Sequence, residues 1–212
     1  MHFQQPLDTI LGHPGKIRVL RFLCRKGGEW NGRRLAAELS MNPVTAHKVL
    51  RQLREATILD FRKIGNNFVY SLRDGHELVR ACLRPLFEQE ARFHDQLRTL
   101  LQRELDGSRR SALVSVALYG SLARGQERSA SDIDLLVLVT SESDKPSVRG
   151  ALNRAGEAVL HAFGNPLAPY LNTVREARRK AREGLPLFRE ILKSHHVLFG
   201  KPLEEVLRGR AA

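Results

Sequence analysis

The sequence is poor in cysteine and tryptophan, and it has no long apolar run. Cys24 and Cys82 are the only cysteines in 212 residues, which argues against a disulfide framework and favours two small buried hydrophobes. Its longest apolar runs, such as residues 135–139, are far too short to cross a bilayer. Since no charged segment followed by an apolar stretch opens the chain, we expect a cytoplasmic protein that does not enter a membrane.

The charge is strongly and unevenly positive. The formal net charge is +12. Residues 1–74 hold 13 Lys and Arg against 6 Asp and Glu, whereas the remaining 138 residues hold 22 against 17. A basic field of this size favours polyanions such as nucleic acid, although a protein that is merely rich in arginine would show the same excess.

Three helix signals follow one another in the first third of the chain. Residues 14–26 have apolar side chains at helical spacing and end before two glycines. A second helix is expected after the N-cap Asn31, and a third after the N-cap Asn42 with Pro43 in its first turn. The third helix turns apolar residues inward and leaves its outer face polar and basic.

A β-hairpin is expected after the third helix, from residues 58–64 and 68–72 with a Gly-Asn-Asn tip. The order of three helices and a hairpin, with the segments 33–40 and 50–56, resembles the winged helix-turn-helix domains of the ArsR and MarR families over residues 14–73. Thr57 departs from that resemblance, because those families usually have a glycine there and a β-branched residue fits a left-handed helix end poorly.

The resemblance implies that double-stranded DNA is a partner. In such domains the third helix enters the major groove and the wing reaches the backbone. The candidate DNA-binding residues are Thr45, His47, Lys48, Arg51, Arg62 and Lys63, of which the last two are placed for phosphate. Winged helices also serve as protein-interaction or dimerisation modules, and a charged outer face can also be only solvated.

A connecting helix is expected over residues 76–105, which lack glycine and have apolar positions at helical spacing. Pro85 should kink this helix or split it in two. The apolar stripe is too long for the small winged domain to cover, so it packs on the second domain or pairs with its counterpart in a homodimer. A dimer would also suit two symmetric DNA half-sites.

The residues with the clearest chemistry follow a buried strand at 112–119. The strand runs into Gly120 and Ser121, and ten residues separate Ser121 from Asp132-Ile133-Asp134, which opens a second strand. Gly120 allows a sharp turn and close approach of a ligand. Alternate positions of a strand put Asp132 and Asp134 on one face, ~6–7 Å apart, where hard oxygen ligands suit Mg²⁺ together with substrate phosphates.

These motifs resemble the minimal nucleotidyltransferases of the DNA polymerase beta superfamily, over the segments 120–125 and 131–137. The resemblance implies Mg²⁺ bound by Asp132 and Asp134, which are also the candidate catalytic residues. It implies a nucleoside triphosphate such as ATP, contacted by Gly120, Ser121 and Arg124.

Catalysis is a separate question, because active members of the superfamily place a third carboxylate on a later strand. Here that strand is expected at 169–174 and contains no acid. Asn172 could bind a metal through its carbonyl but would be a poor base, and Glu176 lies just beyond. Helices are expected at 175–183 and 186–198, where His195 and His196 lack the partners of a zinc site.

We therefore expect an α+β chain with three parts: a winged helix-turn-helix at 1–74, a connecting or dimerisation helix at 75–107, and a polymerase-beta-like domain with a small mixed sheet and flanking helices at 108–212. The expected function is a DNA-binding transcriptional regulator that binds NTP and Mg²⁺ and transfers a nucleotidyl group to an unknown acceptor, if it is an enzyme at all. One alternative is an antitoxin-type nucleotidyltransferase that acts on a HEPN toxin as its partner protein. Another is a transcription factor whose second domain only senses nucleotide or serves as a scaffold.

Overall fold

The structure is a computed structural model that describes residues 5–65, 67–106, 112–126, 128 and 131–208. The chain divides into two compact units, residues 1–93 and 94–212. Helices and two small sheets give the α+β fold that the sequence predicted. Within the described ranges, no helix is long and apolar enough to span a membrane.

The first unit is a winged helix-turn-helix. Its elements are α1 (Pro6–Leu11), α2 (Pro14–Lys26), β1 (Trp30–Asn31), α3 (Gly32–Glu38), α4 (Pro43–Glu55), β2 (Leu59–Ile64), β3 (Asn67–Leu72), a π-helical turn (Val79–Leu83) and α5 (Arg84–Ala91). The sheet is antiparallel with the order β1-β3-β2. The short elements α1 and β1 were not predicted, because so few residues show no usable period. Asn66, at the predicted hairpin tip, lies outside the described residues.

Local capping fixes the two helices of the helix-turn-helix. The Asn31 side chain accepts a hydrogen bond from the Arg34 amide at 2.8 Å, and the Asn42 side chain accepts one from the Val44 amide at 2.9 Å. Each cap satisfies an amide that the helix itself leaves without a partner, which contributes ~1 kcal/mol. The inward stripe of α4 is almost fully buried against the core of the unit, so its opposite face is left to solvent; the stripe consists of Ala46, Val49, Leu50 and Leu53.

The segment expected to form a connecting helix is interrupted and is shared between the two units. Its first part is the π-helical turn, which is followed by α5. Pro85 is the second residue of α5, and a proline is tolerated in the first turn of a helix because the N–H that it lacks would have no partner there. The next helix, α6 (Phe93–Asp106), buries Leu97 and Leu101 in the core of the second unit. The three-part domain boundaries remain a prediction.

The two cysteines differ in environment. Burial raises the pKa of the half-buried Cys24 thiol to about 11, so this thiol stays protonated. Cys82 is exposed, and the prediction of a buried residue is wrong there. The reason is that Val79 and Leu83 fill the inward side of the same π-helical turn.

The second unit is a four-stranded sheet with helices on both faces. Its elements are α6, β4 (Leu113–Leu118), α7 (Gly120–Ala123), β5 (Ile133–Val139), α8 (Lys145–Phe163), β6 (Leu167–Thr173), α9 (Val174–Arg182), α10 (Pro186–Lys193), β7 (His196–Gly200) and α11 (Leu203–Arg208). The strand order is β6-β5-β4-β7, in which β5 and β6 are parallel and the other pairs antiparallel. This is the small mixed sheet with flanking helices that the sequence predicted.

Side chains alternate between the two faces of this sheet. Leu135 and Val137 of β5 pack in one core with α6 and α8. Leu136 and Leu138 pack in the other core with α9, α10 and α11. Asp134 precedes Leu136 by two positions, so it lies on the face that α9 to α11 cover.

The helix predicted at 186–198 is wrong in its second half. The helix α10 ends at Lys193, and residues 196–200 form the edge strand β7, paired antiparallel with β4. The segment is too short for its apolar spacing to separate helix from strand, and the hydrogen-bonding edge of β4 decides the outcome.

Thr57 is the residue that departs from the winged helix-turn-helix resemblance, where a glycine is usual. Its φ is 64°, in the left-handed region, where an L residue with a side chain costs roughly 1–2 kcal/mol. Its hydroxyl donates a hydrogen bond to the Ala56 carbonyl at 2.7 Å. We expect Thr57→Gly to raise the free energy of unfolding by roughly 0.5–1 kcal/mol in urea titrations, because relief of strain exceeds the entropy that glycine loses.

Thr57→Ala is the matched control, since it removes the hydroxyl and keeps the strained backbone. It should not stabilise the protein. Equal destabilisation by Gly and Ala would mean that the hydroxyl contact outweighs the strain.

Candidate functional site

The Gly-Ser loop and the Asp-x-Asp motif meet at one end of β4 and β5. The two strands are paired with Leu118 opposite Leu135, and the Tyr119 amide donates to the Asp134 carbonyl at 3.0 Å. Gly120 follows with φ 76°. A Cβ atom at position 120 would lie 2.0 Å from Oδ2 of Asp134. Only glycine therefore allows the backbone to lie against that carboxylate.

The two carboxylates interact electrostatically. Burial raises the pKa of Asp134, the negative charge of Asp132 raises it further, and Arg124 opposes both effects. Asp134 is half-buried and Asp132 is exposed just before β5. Two carboxylates that repel each other are a ready site for a cation, because the cation removes the repulsion.

Ser121 and Arg124 lie in α7 and directly after it, in the loop that follows β4. Ser121 is half-buried in α7, and its carbonyl accepts a hydrogen bond from the Gln126 amide at 2.9 Å. Arg124 is exposed, and its charge acts on Asp134 and also contributes to a lowered pKa of Glu190, whose main cause is Lys193. Glu190 of α10 is a neighbour that the sequence did not indicate, since 55 residues lie between it and Asp134 without any motif.

A row of polar side chains continues from Asp134 across the same face of the sheet. Burial raises the pKa of Tyr119 to about 12, with further contributions from Asp134 and Tyr170, so this phenol stays protonated. The Lys180 ammonium donates to the Tyr170 hydroxyl at 3.0 Å and to Oδ1 of Asn172 at 2.5 Å. The ammonium of Lys180, a residue of α9, thus lies beside Asn172.

The register of β5 and β6 shows where a third carboxylate would have to stand. Asp134 is directly opposite Ala168, whereas Asn172 is opposite Leu138. Four residues of strand separate those two pairs, which is ~13 Å. A β6 side chain that shares a cation with Asp134 would therefore have to come from position 168, where Ala168 has only a methyl group.

Asn172 and Glu176 are both occupied elsewhere. Asn172 is buried, with its carbonyl oxygen accepting from Lys180. Glu176 caps the N-terminus of α9 by accepting from the Thr173 amide at 2.8 Å, and it pairs with Lys145 at 2.6 Å. The Lys145 hydrogen bond and then the Thr173 amide lower the pKa of Glu176 to about 2. Neither residue can serve as the third acid.

The donor set that remains fits a cation shared with a ligand. Within the described ranges, no group of three or more His, Cys, Asp or Glu could hold a metal ion by itself. Asp132 and Asp134 supply two carboxylates, and Mg²⁺ normally keeps water and takes substrate phosphates in addition to one or two carboxylates. The two aspartates therefore fit a divalent cation that keeps open positions for a further ligand.

In the first unit, α4 and the wing, which is the hairpin of β2 and β3, enclose a groove of about 450 Å³. We call it the wing groove, and it is lined by Val44, His47, Lys48, Arg51, Arg54, Phe68 and Tyr70. It brings together three of the predicted DNA-binding residues. It also adds exposed apolar surface that the sequence did not single out, because Val44 is 78% exposed and Phe68 is 45% exposed.

The other predicted DNA-binding residues are exposed, but they are not equivalent. Lys63 is opposite Phe68 in the hairpin, on the side of the wing groove. Arg62 points to the other side, where its guanidinium pairs with Glu29. Thr45 lies on α4 outside the groove lining.

The family model of the nucleotidyltransferase domain matches residues 96–205, more than half of the chain. The chain therefore belongs to the nucleotidyltransferase domain family. No curated protein matches it in sequence.

Several solved structures are similar to parts of the chain. NolR from Sinorhizobium fredii is 19% identical, with 40% of this chain and 80% of that chain covered and a TM-score of 0.34. The AntR antimony-specific transcriptional repressor is 25% identical, with 44% and 78% covered and a TM-score of 0.36. A toxin-antitoxin with AMP-PNP is 18% identical, with 52% and 78% covered and a TM-score of 0.34. At these TM-scores the family membership rests on the family model alone.

Proposed function

We propose that the chain is a DNA-binding regulator whose nucleotidyltransferase domain binds a nucleoside triphosphate together with Mg²⁺. The observation that supports nucleotide binding best is the backbone of Gly120 lying directly against the Asp134 carboxylate, with Asp132 beside it. In the proposal, the phosphate oxygens of the nucleotide lie next to these two carboxylates. A divalent cation is the chemical link between those two sets of oxygens.

Each site residue has a defined task in this proposal. Asp132 and Asp134 hold Mg²⁺, which when bound neutralises phosphate charge and polarises the phosphorus. Gly120 keeps the loop open to the triphosphate, and the Ser121 hydroxyl donates to a phosphate oxygen. Arg124 balances the charge of the carboxylates and contacts phosphate.

Nucleotidyl transfer requires a further group, because the attacking hydroxyl has to lose its proton. The residue opposite Asp134 is Ala168, which cannot accept a proton or bind a cation. Tyr119 stays protonated, and Lys180 donates to its two neighbours. We therefore propose that binding of the nucleotide, rather than rapid transfer, is the main activity of this domain.

Calorimetric titration of ATP with Mg²⁺ tests the binding proposal. We expect wild-type protein to bind and to be stabilised by ~2.7 kcal/mol at a ligand concentration 100 times the dissociation constant. Asp132→Ala/Asp134→Ala should lose both effects. Glu157→Gln, an exposed acid of α8 on the other face of the sheet, is the control and should bind normally.

The affinity should also depend on pH in a stated direction. Because the pKa of Asp134 is raised, protons compete with the cation, and binding should weaken as the pH falls from neutral through that pKa. Wild-type protein that binds equally well without Mg²⁺, or that does not bind at all, would rule out the proposed site.

Ala168→Asp tests the argument on transfer. It adds a carboxylate opposite Asp134, so we expect a stronger Mn²⁺ signal in metal titrations and an increase in labelled-nucleotide incorporation or ATP turnover of at least ~10-fold, within the range of general-base effects. Asn172→Asp is the matched control on the same strand, four residues away, and should give no gain. Fast transfer by wild-type protein would show that another residue acts as the base.

Double-stranded DNA is the proposed ligand of the wing groove. His47, Lys48 and Arg51 line a concave surface between α4 and the wing, which suits a helix that reads base edges and a wing that contacts phosphate. Arg54 is held against the hairpin, where its guanidinium stacks over Phe61 at 4.6 Å, while Arg51 is exposed and lies 3.8 Å from Glu55. The groove is therefore a basic surface with one of its arginines fixed by stacking.

A duplex-binding measurement at several salt concentrations tests this part of the proposal. Lys48→Ala/Arg51→Ala should weaken binding at least ~10-fold and reduce the salt slope by about 2. On the wing, Lys63→Ala should weaken binding more than Arg62→Ala, because Glu29 already pairs with Arg62. Equal losses for both wing variants would contradict the assignment of Arg62 and Lys63 to opposite faces of the hairpin. Wild-type protein that does not bind duplex even at low salt would rule out the DNA-binding proposal.

A further inference from the structure

The second unit has another basic groove, at the opposite end of β5 from the two aspartates. It has a volume of about 620 Å³ and is lined by Thr140, Ser141, Glu142, Thr173, Arg175, Glu176, Arg179 and Arg182. We call it the α9 groove. Six residues of β5 and its continuation separate Asp134 from Thr140, which is ~20 Å of extended chain. The α9 groove is therefore a separate site from the candidate nucleotide site.

The basic residues of α9 fall into two sets. Arg178 donates to the Val206 carbonyl at 2.8 Å, and Lys180 donates to Tyr170 and Asn172, so both serve the fold. The groove arginines are those at positions 175, 179 and 182. Within the described ranges, Arg175 and Arg182 have no hydrogen-bond or ion-pair partner, and Arg179 has only Glu183 at 3.8 Å.

The acids in the lining do not neutralise this set. Glu142 and Glu176 both contact the ammonium of Lys145, at 3.0 and 2.6 Å. Glu176 is also committed to the cap of α9, where it accepts from the Thr173 amide. The three groove arginines therefore keep their charge for a ligand, and the net charge of the lining is positive.

The spacing of the three groove arginines indicates a ligand with a row of phosphates. Positions i, i+4 and i+7 share one helix face, and seven residues of helix rise ~10.5 Å. A row of that length offers its three guanidinium groups to about three successive phosphates of one strand. None of the described lining residues is aromatic, so the groove offers contacts to phosphates and no surface for stacking bases.

We propose that the α9 groove binds the phosphate backbone of a single-stranded nucleic acid, without preference for sequence. Guanidinium groups suit phosphate because their donors form paired hydrogen bonds with its oxygens. Single-strand sites usually combine a basic groove that follows the backbone with aromatic residues that stack on bases. The described lining of the α9 groove has only the first of these, so the proposed affinity comes from phosphate contacts alone. This site does not depend on nucleotide binding at Asp132 and Asp134.

Fluorescence anisotropy of full-length protein tests the proposal, with a labelled oligothymidylate of about 20 nucleotides as the probe. The groove variant is Arg175→Gln/Arg179→Gln/Arg182→Gln. The charge-matched control is Arg98→Gln/Arg103→Gln/Arg154→Gln, exposed residues of α6 and α8 on the other face of the sheet. A Lys triple variant at the three groove positions keeps the charge, and Lys48→Ala/Arg51→Ala removes charge from the wing groove.

We expect the groove variant to weaken oligothymidylate binding at least ~10-fold and to reduce the salt slope by about 2, since each phosphate contact on a single strand contributes ~0.7. The control triple and the wing variant should bind the single strand nearly as wild type does, and the Lys triple should recover most of the affinity. Circular dichroism checks that each variant is folded.

Three outcomes would overturn the proposal. The control triple could weaken binding as much as the groove variant, which would mean that only overall charge matters. The wing variant could abolish single-strand binding, which would assign it to the first unit. Inorganic triphosphate could bind in an arginine-dependent manner without being displaced by the oligonucleotide, which would identify a small polyphosphate ligand instead.

Discussion

The contact between the Gly120 backbone and the Asp134 carboxylate is the constraint on which the candidate site depends. Any side chain at position 120 would overlap that carboxylate, since its Cβ would lie 2.0 Å from Oδ2. Burial raises the pKa of Asp134, and the charge of Asp132, two residues earlier in the chain, raises it further. The fold thus holds two carboxylates close enough to repel each other, and a bound cation would remove that repulsion. This links the geometry of the loop to the proposed ligand.

Strand register then determines what this site can do. Because β5 and β6 are parallel and in register, Ala168 is the β6 residue that lies opposite Asp134. Further along β6, Tyr170 and Asn172 accept hydrogen bonds from Lys180 and so help to hold α9 on the sheet. Among the described residues, no acid lies opposite Asp134 to act as a base for an acceptor. The proposal of a nucleotide sensor rather than a fast enzyme rests on this arrangement.

The positive charge of the chain is divided among surfaces with different shapes. In the first unit, basic residues of α4 line the wing groove together with exposed apolar side chains. In the second unit, three arginines of α9 line a groove without aromatic residues, while their neighbours Arg178 and Lys180 support the fold. The net charge alone indicates polyanions, but only the placement of each side chain distinguishes the surface proposed for duplex from the groove proposed for a single strand.

The sequence by itself determined the local structure: the caps at Asn31 and Asn42, the bounds of α2, and the Gly-Ser and Asp-x-Asp motifs with their alternating faces. These follow from hydrogen bonds and side-chain periods that act within a few residues. The tertiary structure alone decided the register that places Ala168 opposite Asp134, the pairing of β7 with β4, and the split of the connecting helix. Such features depend on packing between segments far apart in the chain, where neighbouring strands and cores override local spacing.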